Sequence, residues 1–272
     1  MLVHIIADYG EGDLAFAEVA QRIKFYLPDA EPLLTPVPPF STLAAGFCIA
    51  QLGLNDVPAG TIIFHNVAPR EDDRRARIAN AGERLAFARL RTGVQVIGVN
   101  AGHAYSFIRG EAEELRWASV AAKGSQFRSR DLFPQAAAAI ALGRPGVLAG
   151  KIGASEIPRP PKDRIAYIDG YGNLKITREE GNGVFPPGSL LKIQIDGNLQ
   201  EATAVRGSFE VAVGQLAFAP GSSGWIQKKG RESRWMELFL RGGSAWEAFG
   251  RPPVGARIDF LSRSPRSRKT KR

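Results

Sequence analysis

The stretch from Val3 to Asp13 (Val-His-Ile-Ile-Ala-Asp-Tyr-Gly-Glu-Gly-Asp) constrains this chain more than any other. An apolar, mostly strand-favouring run leads straight into a turn that carries three carboxylates and two glycines. A helical pattern follows, with Leu14, Ala17, Ala20, Ile23 and Tyr26 on related faces. Buried strand, acidic turn and helix in that order open an α/β domain. Ligands of such sheets bind at the carboxyl ends of the strands, where Asp8 falls. Asp13 is placed to cap the helix. Asp8 follows the strand too closely to be that cap, so it either bonds turn amides or meets a ligand.

The next elements follow from punctuation. Pro32 to Val37 reads as a second strand, short or near an edge because prolines crowd it. Ser41 or Thr42 caps a helix running to about Leu52, and Thr61 to Val67 is a β-branched third strand. Pro69 to Arg77 is a dense polar loop. Residues 84–90 and 94–99 flank Arg91-Thr92-Gly93 as a hairpin, and Asn100 opens the loop that leaves it. Glu111 to Arg116 is charged and has no clear structural signal. Asp131 is read as a cap, Pro134 as first-turn proline, and Gln135 to Leu142 as a helix ended by Gly143.

Ile157-Pro-Arg-Pro-Pro-Lys162 is stiff and polar, the clearest linker. Beyond it, short strand-like segments alternate with Gly, Pro and Asn. The expected organisation is an α/β N-terminal domain over 1–156, with a mostly parallel sheet and flanking helices. A linker over 157–162, a smaller all-β antiparallel barrel over 163–261 and a disordered basic tail over 262–272 complete it.

Charge and cysteine usage exclude several classes. The formal charge is +9, but six basic residues lie in the last ten positions. Without them the remaining 262 residues carry +3. Any nucleic-acid contact is therefore expected only through the tail. The single cysteine, Cys48, lies in an apolar run and reads as core. With three histidines besides, His65 among them inside a strand, a zinc site is not expected. No apolar stretch is long enough for a membrane span and the chain opens on a strand, so a cytoplasmic protein is expected.

No spacing announces a mechanism alone: there is no glycine-rich phosphate loop and no serine elbow. Polar residues do gather at strand ends, namely Asp8, the Arg74-Arg75 loop, Asn100, Arg128-Ser-Arg-Asp131 and Asp169-Gly-Tyr-Gly-Asn173. A carboxylate at Asp8 with the Asp169–Asn173 turn suits a ribose diol. These stretches, in order, resemble the S-adenosylmethionine hydroxide adenosyltransferase family, which includes the fluorinase and chlorinase. Ala7-Asp-Tyr-Gly-Glu-Gly-Asp13 resembles its Thr-Asp-Phe-Gly-x-x-Asp opening. Pro58-Ala-Gly-Thr61 resembles Pro-Glu-Gly-Thr, and Gln126-Phe-Arg-Ser-Arg-Asp-Leu-Phe133 resembles Thr-Phe-His-Gly-Arg-Asp-Ile-Phe. Tyr167-Ile-Asp-Gly-Tyr-Gly-Asn-Leu174 resembles Tyr-Ile-Asp-Arg-Phe-Gly-Asn-Leu. Ser222-Ser-Gly-Trp225 and Glu237-Leu-Phe-Leu-Arg-Gly-Gly-Ser-Ala245 resemble Ser-Ser-Gly-Tyr and Glu-Ile-Ala-Val-Asn-x-Gly-Ser-Ala.

The resemblance implies conversion of S-adenosylmethionine to adenosine and methionine by attack at the ribose 5′ carbon, without a cofactor. It implies a homotrimer with sites between subunits. Asp8 would hold the ribose hydroxyls, and Asp169 and Asn173 the methionine part or nearby ribose. Ser222, Ser223, Trp225, Arg241 and Ala245 would surround adenine. The catalytic positions depart from the family pattern. Ala68 stands at the aspartate, unless a slip of two places Asn66 there; Arg75 matches the arginine and Arg128 replaces the histidine. Asn100-Ala-Gly replaces Asp-Asn-Gly, so Asn100 joins the binding set. An arginine cannot act as a base near neutral pH. Asp72 or Asp73 could supply the lost carboxylate. A catalyst with an altered water-activating set is one reading; a non-catalytic sensor of adenosine or S-adenosylmethionine is the other. Because nothing apolar follows Leu261, deleting residues 262–272 is expected to leave the melting temperature and ligand affinity unchanged.

Overall fold

Strand β1 (Leu2–Ala7) is buried along all but its first residue. It owes this to parallel neighbours on both sides, β2 (Glu31–Pro36) and β3 (Ile62–Asn66). The computed structural model describes residues 1–69, 75, 82–121, 125–181, 185–228 and 230–261. Asp72, Asp73 and the basic tail 262–272 lie outside the described residues. The chain forms two compact units. Met1–Pro160 with Trp225–Glu232 is the first, and Pro161–Gly224 with the chain from Ser233 onward is the second. The division falls inside the proline-rich linker, while no local signal marks the return of Trp225–Glu232 to the first unit.

In the first unit, helix α1 (Leu14–Tyr26) starts where the Asp13 carboxylate accepts the Ala15 amide at 2.7 Å. Its Phe16, Val19 and Ile23 join Val3, Ile5 and Ala7 in one buried cluster. Helix α2 (Thr42–Gly53) is capped by Ser41, whose hydroxyl accepts the Ala44 amide at 3.3 Å. Nearly every α2 residue is apolar, as expected of a helix covered all round, and it packs on β1 and β3. Cys48 belongs to this buried set, and desolvation pushes its thiol up to about 12, so packing is its role.

The remaining strands are β4 (Leu85–Leu90), β5 (Gln95–Val99), β6 (Ala112–Ala118) and β7 (Leu148–Lys151). Helices α3 (Arg128–Asp131) and α4 (Phe133–Ala141) lie between the last two. The order across the sheet is β2-β1-β3-β5-β4-β6-β7. The pairings from β2 to β5 are parallel, and those from β5 to β7 are antiparallel. The expected mostly parallel sheet is therefore corrected to a mixed one. The hairpin at Arg91–Gly93 reverses the chain, so β4 runs against β5, and the later strands extend that antiparallel half. The charged stretch from Glu111 proves to be strand β6, its Arg89–Glu114 ion pair reaching across to β4 at 2.8 Å. Asp131 does not cap α4, which begins after Leu132; its carboxylate is held by Arg130 and Ser125.

The second unit is built from β8 (Ile165–Ile168), β9 (Leu174–Glu179), β10 (Leu190–Ile195), β11 (Asn198–Ala204), most of β12 (Leu216–Ile226) and β13 (Glu232–Leu240), and β14 (Ile258–Leu261). The order is β14-β10-β11-β12-β13-β9-β8. Asp196 and Gly197, both at positive φ (45° and 83°), make the tight β10–β11 turn. The outer strands meet where the Ile165 amide bonds the Ala256 carbonyl at 3.0 Å and the Ile258 amide bonds Asp163 at 2.9 Å. The expected purely antiparallel sheet is corrected by one parallel pairing, β11 with β12. A short helix α5 (Ala245–Ala248) sits among these strands. Among the described residues no helix is long and apolar enough to cross a membrane.

His65, in β3, is completely buried, and neither ring nitrogen has a partner. Its ring occupies the space a Cβ on Gly98 would need and stands edge-on to Tyr105 at 5.1 Å. Desolvation holds its pKa down, from 6.5 to about 3. The folded protein thus keeps His65 neutral while the unfolded chain takes up a proton below about pH 6.5. Stability is expected to fall as pH drops from 6.5 toward 3, and His65→Leu should flatten that slope in urea melts at pH 7 and pH 5. Gly98→Ala should cost about 1–3 kcal/mol by overpacking against the ring.

Candidate functional site

Chain connections leave β1 and β3 in opposite directions: β1 leads to β2 on one side, whereas β3 leads on toward β4 and β5. The carboxyl ends of β1 and β3 thus form the switch point where ligands of open α/β sheets bind. Asp8 is the first residue beyond β1 at that point. Register places Ala7 opposite Asn66 and His65 opposite Gly98, so Asp8, Val67 and Asn100 follow one another along a single edge. Alternation sends Val3, Ile5 and Ala7 into the α1 cluster and Asp8 to the α2 side.

There the Asp8 carboxylate accepts the Phe40 amide at 2.8 Å. Phe40 takes a positive φ of 61° just before the Ser41 cap, so Asp8 fixes the entry to α2. One carboxylate oxygen is engaged; the other has no partner among the described residues. Asn100 donates its backbone amide to Arg84 at 2.9 Å and keeps a half-buried side chain at the same edge. The loop beyond it presses onto α2. The His103 amide donates to the Thr42 hydroxyl at 3.0 Å, and Gly102 lies against Thr42 with no room for a Cβ.

The other face of this edge carries the expected catalytic positions. Tyr9 donates its hydroxyl to Ser129 at 2.6 Å and stacks edge-on with Phe127 at 5.9 Å, tying the Asp8 turn to α3. Arg128 bonds the Glu83 carbonyl at 3.1 Å, approaches the Glu83 carboxylate at 3.9 Å and lies over the Phe133 ring. Gly82 lies directly against it, where a Cβ would meet the guanidinium. Glu83 is a carboxylate that spacing alone did not single out, because it precedes a strand rather than ending one. Ala68 packs against the α1 and α4 cluster, Asn66 is half-buried, and Arg75 is exposed.

In the second unit the motifs assemble around a different centre. The Asp169 carboxylate accepts the Tyr171 and Asn173 amides and the Asn173 side chain, each at 3.0 Å, so it is largely consumed by its own turn. Beneath it Lys175 bonds Glu237 at 2.8 Å and approaches Asp169 at 3.7 Å. Glu237 is buried and occupies the space a Cβ on Gly221 would need. Gly172 abuts Ser244 and accepts the Trp246 amide at 2.8 Å, seating the turn against α5. Thus Asp169, Asn173, Gly221, Glu237 and Ala245 do come together, with Ala245 buried. Arg241 instead braces the Phe209–Gln215 loop through the Val211 carbonyl at 2.6 Å. Ser222 is exposed and Ser223 buried. Trp225 belongs to the first unit, buried between Phe47 and Phe107 at 6.3 and 6.1 Å. Among the described residues no cluster could hold a metal ion.

Removing one partner of the buried Lys175–Glu237 pair strands a charge. Lys175→Met should lower stability by about 3–5 kcal/mol, and adding Glu237→Gln should recover much of it, read by thermal melting.

No family model matches this chain, and no curated protein does. Its fold is similar to the crystal structure of an uncharacterized conserved protein from Thermotoga maritima. That likeness has a TM-score of 0.72 and 16% identity over 96% of this chain and 100% of that one. A conserved hypothetical protein from Thermus thermophilus is also similar, with a TM-score of 0.63 and 20% identity over 95% and 99% of the two chains. At such identities the likeness concerns the fold alone.

Proposed function

We propose that this protein binds an adenosyl compound, S-adenosylmethionine or adenosine, with its ribose diol on Asp8. The observation that carries the reading is the position of Asp8, at the switch point between β1 and β3, with one carboxylate oxygen anchoring α2 and the other unengaged. A diol presents two hydroxyls to one carboxylate, a charge-assisted pairing that favours ribose over a lone alcohol. The order of the motifs, from Ala7–Asp13 to Glu237–Ala245, supports the adenosyl class, and the same resemblance makes a homotrimer part of the proposal. The reaction proposed is displacement of methionine from the 5′ carbon, with water as the nucleophile.

A sensor without turnover is the second reading, favoured by Arg128, which is committed to Glu83 and cannot take a proton. Calorimetry with S-adenosylmethionine and with adenosine tests the shared step. Binding is expected, and Asp8→Ala should weaken it by about 2–3 kcal/mol. No heat and no thermal shift with either ligand at millimolar concentration would sink both readings. Chromatography for adenosine then separates them, since only the enzyme releases it from S-adenosylmethionine.

A further inference from the structure

The chain has three histidines, and their surroundings separate them sharply. His65 is sealed in the core without a partner. His4 lies inside β1, four residues before Asp8 and almost fully buried. His103 alone stands beyond a strand end at the edge that carries Asp8 and Asn100.

Its surroundings fix the imidazole. Nδ1 lies 3.0 Å from the Ser106 hydroxyl, and Ser106 is itself buried. With the proton on Nδ1 donated to Ser106, the lone pair sits on Nε2, which has no partner among the described residues. The backbone is clamped as well. The His103 amide is held by Thr42, and the His103 carbonyl lies where a Cβ on Gly46 would be. Thr42 opens α2, and the residue two before it, Phe40, is bonded to Asp8. The entry to α2, from Phe40 to Thr42, therefore holds Asp8 at one end and His103 at the other. Burial lowers the imidazole's pKa, which keeps it neutral and able to accept a proton at neutral pH.

We infer that His103 is the general base of this edge, taking the proton from the attacking water. This role rests on the proposed adenosyl chemistry. The water oxygen forms a bond to the ribose 5′ carbon as the carbon–sulfur bond breaks, and its electron pair leaves with methionine. The water proton passes to His103 Nε2 and from there to solvent. A base in this loop would replace the one that Arg128 cannot supply, and Ser106 positions its ring.

The test incubates the full chain with S-adenosylmethionine and follows adenosine by chromatography. Wild type should turn over, and His103→Ala and His103→Gln should each lose about 100-fold or more in kcat. Both should melt cooperatively and keep adenosine affinity, because the contacts to Thr42 and Gly46 are made by the His103 backbone; His103→Ala should melt somewhat lower, since it leaves the buried Ser106 hydroxyl without its ring partner. Added imidazole should restore part of the His103→Ala rate, which a merely structural role would not allow. An unchanged rate in both variants, or a loss that imidazole leaves in place, would overturn His103 as base while turnover still upheld the adenosyl reading. Tight Asp8-dependent binding with no wild-type turnover would overturn the inference and leave the sensor. Absence of binding would remove the adenosyl reading itself.

Discussion

Parallel pairing on both flanks of β1 is the constraint on which the first unit depends. A strand hydrogen-bonded on both sides and covered on both faces must be apolar from edge to edge, as Val3 to Ala7 is in the main. Its two neighbours cannot be reached by short turns, so α1 and α2 arise as crossovers. α1 joins the cluster of Val3, Ile5 and Ala7, whereas α2 supplies its own apolar surface all round. The first polar residue after such a strand emerges where the crossovers diverge. Asp8 is polar for the reason that Ala7 is not.

That geometry explains how one carboxylate can serve both fold and site. Its bond to the Phe40 amide holds a residue with a left-handed backbone ahead of the α2 cap. Losing it would loosen the start of a buried helix and, through Thr42, the His103 loop. Asp169 contrasts with it. Three hydrogen bonds from its own turn and a buried lysine below leave that carboxylate little capacity for a ligand. Two acidic residues at strand ends, equivalent in sequence pattern, therefore differ in what remains for chemistry.

Local signals made much of this legible. The Asp13 and Ser41 caps, the proline-crowded edge strand, the hairpin at Arg91–Gly93 and the core role of Cys48 all follow from side chains acting on their immediate backbone. Pairing direction was not legible, because it depends on which strands meet. β6 reads as charged and formless until Glu114 finds Arg89 across the sheet. Trp225 reads as a ring for a ligand, yet its surroundings are Phe47 and Phe107, more than a hundred residues away in the chain. Glu83 and His103 carry no local signal, because each is held by a partner distant in sequence, Arg128 and Thr42 respectively.

The same distinction bears on how a changed catalytic position is to be read. Under the proposed adenosyl chemistry, an arginine at position 128 leaves one point of the chain without a base, and the requirement would be for a neutral proton acceptor facing a particular edge. Several segments converge on that edge: the residues directly after β1, β3 and β5, the entry to α2, and the Gly82–Glu83 approach to β4. Any of them can present such a group. The loop after β5 is pinned to α2 at Thr42 and Gly46, which removes the freedom that would otherwise blunt a side chain's effect there. Under the proposed chemistry, the rigidity imposed by two glycines and a threonine would matter to the site as much as the imidazole of that loop. Chemistry lost at one strand end can be regained at its neighbour because parallel strands deliver all their carboxyl ends to the same place.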